Sequence, residues 1–150
     1  MKIITIWQPW ATLIALGLKQ YETRSWGTDY RGGLAIHAAK RQIDPDGKYA
    51  ISQAFELTGG KVPRLRRHYP LGCIVAISDL TDCKRMTPLL IGEQTPLELA
   101  LGYWQSGRFA WQLENIVALP EPIPYRGSQG LCDVRPDALE ILMELSHEQN

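Results

Sequence analysis

Apolar positions recur along this chain at two alternating spacings, and the switches between them mark its elements. Lys2 to Ile6 is rich in β-branched residues and reads as a strand. Trp10, Leu13, Ile14 and Gly17 then fall at the i, i+3, i+4, i+7 spacing of one helical face. Pro9 suits the first helical position, where no amide hydrogen is needed, and Gly17 suits the stop. Tyr21 to Ser25 and Leu34 to Ala38 return to strand character, with Gly32-Gly33 read as a turn or bulge. Asp44-Pro45 reads as a cap and a first helical proline, opening a helix that runs to Leu57 and ends at Gly59-Gly60.

The second half follows the same logic. Residues 59–72 hold three Gly and two Pro and read as a loop. Cys73 to Leu80 is a nearly continuous apolar run, which fits a strand buried on both faces. Pro96 to Leu101 predicts a short helix before Gly102. Phe109, Trp111 and Leu113 alternate with Gln112 and Glu114, the pattern of a half-buried strand. Pro120, Pro122 and Pro124 point to an edge or an extended connection. Pro136 opens a final helix with Leu139, Leu142 and Met143 expected on one face. No repeat, heptad run or low-complexity segment occurs. Short strands interleaved with two or three helices predict an α+β fold, a small barrel or a strongly curved sheet.

Length and charge narrow the function. The 150 residues fit one domain with a sizeable core. No apolar run approaches the ~20 residues of a membrane span, and the N-terminus moves straight into strand pattern, unlike a signal peptide. Cys73, Cys83 and Cys132 are widely spaced and odd in number, so neither a zinc site nor a disulfide framework is indicated. A reduced, cytoplasmic setting is expected. Sixteen Lys and Arg balance sixteen Asp and Glu, which argues against general coating of nucleic acid. Residues 1–41 nevertheless carry six basic residues (2, 19, 24, 31, 40, 41) against Glu22 and Asp29. That asymmetry favours an anionic ligand of limited size over a long duplex. No His-x-x-His pair, Cys cluster or Gly-x-x-x-x-Gly-Lys loop is present, so no metal and no cofactor are predicted.

The densest cluster of candidate chemistry is Gly17-Leu18-Lys19-Gln20-Tyr21-Glu22-Thr23-Arg24. If the chain is extended after Tyr21, Glu22 and Arg24 point to one face, and Lys19 sits at the mouth of that strand. Lys19 would bind or activate a ligand, Glu22 would accept hydrogen bonds or protons, and Arg24 would orient Glu22 or grip a phosphate in a bidentate manner. The same charges would also make a surface ion-pair group of little energetic weight. Trp7 and Trp26 flank the cluster and could stack on unpaired bases, whereas Trp10 lies on the apolar helical stripe and belongs to the core. Arg31 precedes two glycines that would let a phosphate approach. His37 lies on the strand face opposite Leu34 and Ile36, as a structural histidine or a titrating one, and Lys40 follows it. Lys61, Arg64, Arg66, Arg67 and His68 form a basic loop, solvated or in contact with an RNA backbone. Arg126 and Gln129 stand in a Tyr-Arg-Gly-x-Gln-Gly block whose glycines suggest a tight turn closing over a ligand. Ser128 lacks a nucleophile-elbow pattern.

Read in order, several blocks resemble one family. They are Trp7-Gln8-Pro9-Trp10-Ala11, Gly17-x-Lys19-x-x-Glu22-x-Arg24, Tyr30-Arg31-Gly32 and Ile36-His37-Ala38, then Phe109-Ala110-Trp111-Gln112-Leu113-Glu114-Asn115 and Tyr125-Arg126-Gly127-x-Gln129-Gly130-Leu131. Over roughly residues 3 to 134 the chain resembles the ASCH (activating signal cointegrator homology) domains. The resemblance implies a small mixed β-barrel with flanking helices, similar to the PUA RNA-binding domains, and RNA or a modified nucleoside as partner. Some bacterial ASCH proteins act as amidohydrolases on N4-acetylcytidine, with Lys, then Thr three residues on, then Arg two beyond. Lys19 and Arg24 match that pattern, Glu22 stands where the Thr would be, and no residue here is assigned to the distant acid of the pattern. The resemblance therefore implies Lys19, Glu22 and Arg24 as catalytic residues, with Trp7, Trp26, Arg31, His37, Lys40, Arg126 and Gln129 binding substrate. Two alternatives stand beside it. One is a metal-independent ribonuclease using Lys19, His37 and Arg31. The other is a non-catalytic interaction module in transcription or RNA metabolism.

Overall fold

The computed structural model describes residues 1–148. Its strands are β1 (Lys2–Ile6), β2 (Tyr21–Arg24), β3 (Gly32–Ala38), β4 (Cys73–Arg85), β5 (Phe109–Pro124) and β6 (Leu131–Asp133). Its helices are α1 (Trp10–Ala15), α2 (Pro45–Leu57), α3 (Pro88–Gly92), α4 (Pro96–Leu101) and α5 (Pro136–Glu148), with a 3-10 turn at Arg66–His68. The strands form one mixed sheet in the order β2-β5-β4-β3-β1-β6. The sheet curls into a half-barrel, in keeping with the mixed α+β class expected. Only β1 and β3 run parallel, with Ile4 opposite Ile36. Parallel neighbours need a crossover rather than a hairpin, and α1 with β2 supplies it. Register shifts at Ile36/His37 of β3 and at three places along β4 and β5 bend the sheet.

Both faces of the sheet are covered. One face buries Ile4, Ile6, Leu34, Ile36, Trp111 and Leu113 beneath Ala11 and Ile14 of α1. The other buries Ile3, Ala35, Ile74 and Ile77 against Ala138 and Leu142 of α5. This double cover explains the unbroken burial of Cys73 to Ser78 that the apolar run predicts. A third cluster, with Leu13, Ala50, Ala54 and Leu101, ties α1, α2 and α4 into one wall beside the sheet.

Several local expectations are met and several are corrected. Helix α2 starts at Pro45 with the Asp44 carboxylate accepting from Gly47 N at 2.8 Å, as the cap pattern predicts. Pro9, however, is the residue before α1 rather than its first residue. The cap is supplied from one position further back. The buried Gln8 amide accepts from Thr12 N at 2.9 Å, donates to Thr12 Oγ1 at 2.7 Å, and reaches Pro70 O at 2.9 Å. Gly32-Gly33 is not a turn but part of β3, opposite Leu80 and Asp79. Strand β4 runs on to Arg85, and β5 runs through all three prolines. β2 pairs only with Phe109–Gln112 of β5, so the proline segment lies at a free edge, where a missing N–H costs no ladder bond. In α5 the buried residues are Ala138 and Leu142, while Met143 is exposed rather than on the core face. Helix α3 and strand β6 are elements the periodicity does not predict. No helix among the described residues is long and apolar enough to cross a membrane.

Candidate functional site

The fold carries two connected clefts at one end of the half-barrel. The inner one, of about 660 Å³, lies between β2, the α1/α2 side of the wall and the chain after α4. The outer one, of about 1100 Å³, lies over β1 and β3 beneath residues 125–130. Thr5, Trp7 and Arg24 line both, so one surface leads into the other.

Lys19 forms the floor of the inner cleft. Gly17 adopts φ +77° at the end of α1, and the amides of Leu18 and Lys19 both return to Leu13 O, at 3.1 and 3.2 Å. This tight turn drives Lys19 inward, where it is 1% exposed. Its Nζ donates to Tyr21 O and lies 3.7 Å from Glu22 Oε1. Glu22 is itself 7% exposed. Its Oε1 accepts from Thr23 N at 3.0 Å, and its Oε2 faces Arg24, at 3.1 Å from Nε and 3.0 Å from Nη2. Arg24 Nη2 also donates to Thr5 O at 2.8 Å, which fixes the fork on β1. The expected convergence of Glu22 and Arg24 on one face of β2 is therefore observed, with the Lys19–Glu22 pair buried and Arg24 half-buried.

A second carboxylate stands behind this group. Glu98 of α4 is 6% exposed and accepts from Gln20 N at 3.1 Å and Tyr21 N at 3.2 Å. Burial pushes its pKa up, against the Lys19 charge and the two backbone donors, which pull it down. Thr95-x-x-Glu98 has the sequence of a capping box. Only half of the box forms, with Glu98 N donating to Thr95 Oγ1 at 3.1 Å. The carboxylate leaves the helix to hold the start of β2 instead. That half-made box is the one local sign of Glu98, and the sequence reading passes over it.

Aromatic side chains surround the entrance. Trp7, Tyr49 and Tyr103, each more than half exposed, line the inner cleft. The Arg41 guanidinium lies 3.4 Å from the Trp7 ring centre and that of Arg108 lies 4.4 Å from Tyr103. Tyr49, Tyr103, Arg41 and Arg108 carry no motif signal and are brought here only by packing. Trp26 lines the outer cleft, held edge-on to Trp111 at 4.9 Å, with its carbonyl accepting from Trp111 Nε1.

The outer cleft gathers Trp7, Arg24, Trp26, His37, Lys40, Arg126 and Gln129, and none of the residues lining it is acidic. Arg31 is the exception among the expected residues. It lies outside both clefts, donating to Thr28 O and Tyr30 O and facing Asp82 at 3.5 Å. The glycines beside it are paired in β3, so no open loop presents it to a ligand. His37 is 2% exposed with both ring nitrogens engaged. A carbonyl only accepts, so Nε2–H donates to Tyr125 O at 2.7 Å, and Nδ1 accepts from Thr5 Oγ1 at 3.1 Å.

Burial lowers the His37 pKa below its ordinary 6.5, and Arg135 acts in the same direction, against the Tyr125 bond. The folded state thus prefers neutral His37. Its contribution to stability is complete above pH 6.5 and is lost as pH falls from there through the lowered folded value. In urea titrations between about pH 5 and pH 8, the wild type should lose more stability on acidification than His37→Gln. Parallel pH profiles would show that His37 does not titrate in this way. No cluster of three or more His, Cys, Asp or Glu able to hold a metal ion occurs among the described residues.

This arrangement can stack an aromatic ring at the entrance, offer a buried ammonium at the floor and lay a chain of negative charge along the outer cleft. The human and mouse Activating signal cointegrator 1 are each 36% identical to this chain over 80 residues, 53% of its length. The match spans only 14% of those relatives. The crystal structure of ASCH from Zymomonas mobilis superposes with a TM-score of 0.58 at 14% identity, covering 96% of this chain and 94% of that one. A point mutant of the same bacterial protein aligns equally well, with a TM-score of 0.58 at 13% identity. The ASCH domain model itself matches residues 4–119, well over half of the sequence, and the chain belongs to the ASCH domain family.

Proposed function

We propose that this protein recognises a nucleobase, in single-stranded RNA or as a modified nucleoside, and that the base enters the inner cleft with its polar edge toward Lys19. ASCH domains are generally RNA-binding, and the observation that carries the reading is the buried Lys19 ammonium at the floor of an aromatic-walled cleft. A cleft of about 660 Å³ suits a nucleoside-sized ligand. An ammonium has three donors. Lys19 gives one to Tyr21 O and stands 3.7 Å from Glu22 Oε1 as an ion pair without a hydrogen bond, which leaves donor capacity for a carbonyl on the ligand. Trp7, Tyr49 and Tyr103 offer ring faces for stacking, worth about 1–3 kcal/mol per base. Three free cysteines and no disulfide among the described residues fit a reducing, cytoplasmic setting.

The sharpest form of the reading is hydrolysis of an acyl amide on cytosine. Water attacks the acyl carbonyl, the carbon–nitrogen bond breaks, and the water's proton ends on the exocyclic nitrogen, giving a carboxylic acid and the free base. Lys19 would donate to the developing oxyanion, where a preorganised cation in a water-poor site is most effective. Glu22 Oε1, with one backbone bond and a loose approach to Lys19, retains the capacity to take the water's proton and return it. Oε2 is committed to Arg24, which acts as a positioning residue. The geometry lends less support to the ribonuclease reading, since Arg31 stands apart from the clefts and His37 has no free ring nitrogen.

Mass spectrometry of N4-acetylcytidine incubated with the protein tests this directly. Wild type should release acetate, and Glu22→Gln should slow release by about 10²–10⁴-fold, the usual weight of general acid–base catalysis. Absence of turnover in wild type would remove the hydrolase version. Absence of tryptophan quenching by any nucleoside or oligoribonucleotide would remove base recognition itself.

A further inference from the structure

We propose that the ligand of this site is a single strand of RNA long enough to leave the clefts, and that its backbone crosses beside Lys40 onto a second basic surface made by Lys48, Arg64, Arg66 and Arg67. The inference rests on base recognition at the inner cleft, since a base that enters there must be unpaired. Its own evidence lies elsewhere in the molecule.

The outer cleft does not end at its rim. Lys40 and Gly72 line it, and their near neighbours Gln42 and Leu71 line a smaller hollow of about 230 Å³ between α2 and the basic loop. The two segments are joined by a bond from Gly72 N to Ala38 O at 2.9 Å, so the same pair of segments flanks both the cleft and the hollow. Lys48, Arg64 and Arg66 stand around the hollow, and Arg67 lies beside them on the 3-10 turn. The chain is neutral as a whole, yet residues 30–43, 57–78 and 122–132, which carry every cation of this band except Lys48, contain no Asp or Glu, whereas Lys48 stands on α2 with Asp46 and Glu56. Asp44, at the edge of the band, is committed to Gly47 N and Arg41. Lys40, Lys48, Arg64, Arg66, Arg67 and Arg126 have no ion-pair partner among the described residues. Arg64 is braced on the Phe55 ring at 4.6 Å, which holds a guanidinium ready for a phosphate. Cations without ion-pair partners, gathered in one band that starts at a base-sized cleft, offer partners to successive phosphates of a polynucleotide. A free nucleoside would use none of them.

The triple variant K48E/R66E/R67E tests the proposal, because all three side chains are exposed and none belongs to the clefts. Fluorescence anisotropy would follow labelled oligoribonucleotides of about five and about twenty nucleotides, across a salt series. Wild type should bind the longer strand more tightly. The variant should lose about tenfold or more in affinity for that strand, and its salt slope should fall by about 2, near 0.7 per lost phosphate contact. Binding of the short strand should not change. Unchanged affinity and slope for the longer strand, with both strands still bound, would overturn the second surface and leave base recognition intact. Failure of wild type to bind either strand would overturn both.

Discussion

Replacing Lys19 with methionine should cost about 3–5 kcal/mol of folding stability at neutral pH, the usual effect of removing one partner from a buried ion pair. Methionine keeps most of the apolar stem, so the loss isolates the charge. Glu22 would keep Arg24 and Thr23 N but lose its second cation. Glu98 would fare worse, because the Lys19 charge opposes its desolvation. The pH dependence gives the signature. A carboxyl whose pKa is raised on folding binds its proton more tightly in the native state. It therefore costs stability above its folded pKa and costs progressively less as pH falls through that value. The deficit of Lys19→Met should shrink on acidification, as Glu98 becomes neutral and no longer needs a cation. Urea denaturation of wild type and variant at neutral and acidic pH measures it. A deficit under about 1 kcal/mol, or one that ignores pH, would contradict the buried-pair account.

Gly127→Ala should destabilise the fold by about 1–3 kcal/mol, the range for overpacking a well-filled site, and should open the outer cleft. A β-carbon at Gly127 would stand 2.5 Å from His37 Cε1 and 2.6 Å from both His37 Nδ1 and Thr5 Oγ1. Those atoms sit on β3 and β1 in the middle of the sheet and cannot retreat, so the segment carrying Tyr125 to Gly130 must lift. Lifting it strains the 2.7 Å bond from His37 to Tyr125 O and moves Arg126 and Gln129 away from Lys40. Gly130, by contrast, has open space around it. Ligand affinity in the outer cleft should therefore fall more for Gly127→Ala than the stability loss alone explains. Thermal melts combined with oligoribonucleotide binding would show this, and a variant with wild-type melting and binding would refute the close approach.

The first third of the chain shows how sequence and fold divide the work. The 3.6-residue spacing of Trp10, Leu13 and Ile14, the stop at Gly17 and the period of two after Tyr21 are local properties. They suffice to place α1, the turn and β2, and with them the shared face of Glu22 and Arg24. The Asp44-Pro45 cap likewise specifies the start of α2 without help from the rest of the molecule, and the resemblance in the ordered motifs pointed to the ASCH family. Local pattern misleads where a distant partner decides. Gly32-Gly33 has the composition of a turn, yet β4 supplies the pairing that makes it a strand. Pro120, Pro122 and Pro124 look like breakers, yet they are tolerated because β2 stops pairing after four residues.

The same divide runs through the site. The sequence determined which charges lie near one another on β2 and after α1, because alternation and turn geometry act over a few residues. Only the tertiary structure decided that Lys19 is buried, that Glu98 from α4 stands behind it, and that Tyr49 and Tyr103 join Trp7 at the entrance. It also moved Arg31 out of the site, and it tied His37 to a carbonyl 88 residues away. Burial and long-range hydrogen bonding depend on what the remaining chain packs against a residue. No local pattern carries that information, so the chemistry available to Lys19, Glu98 and His37 is a property of the fold.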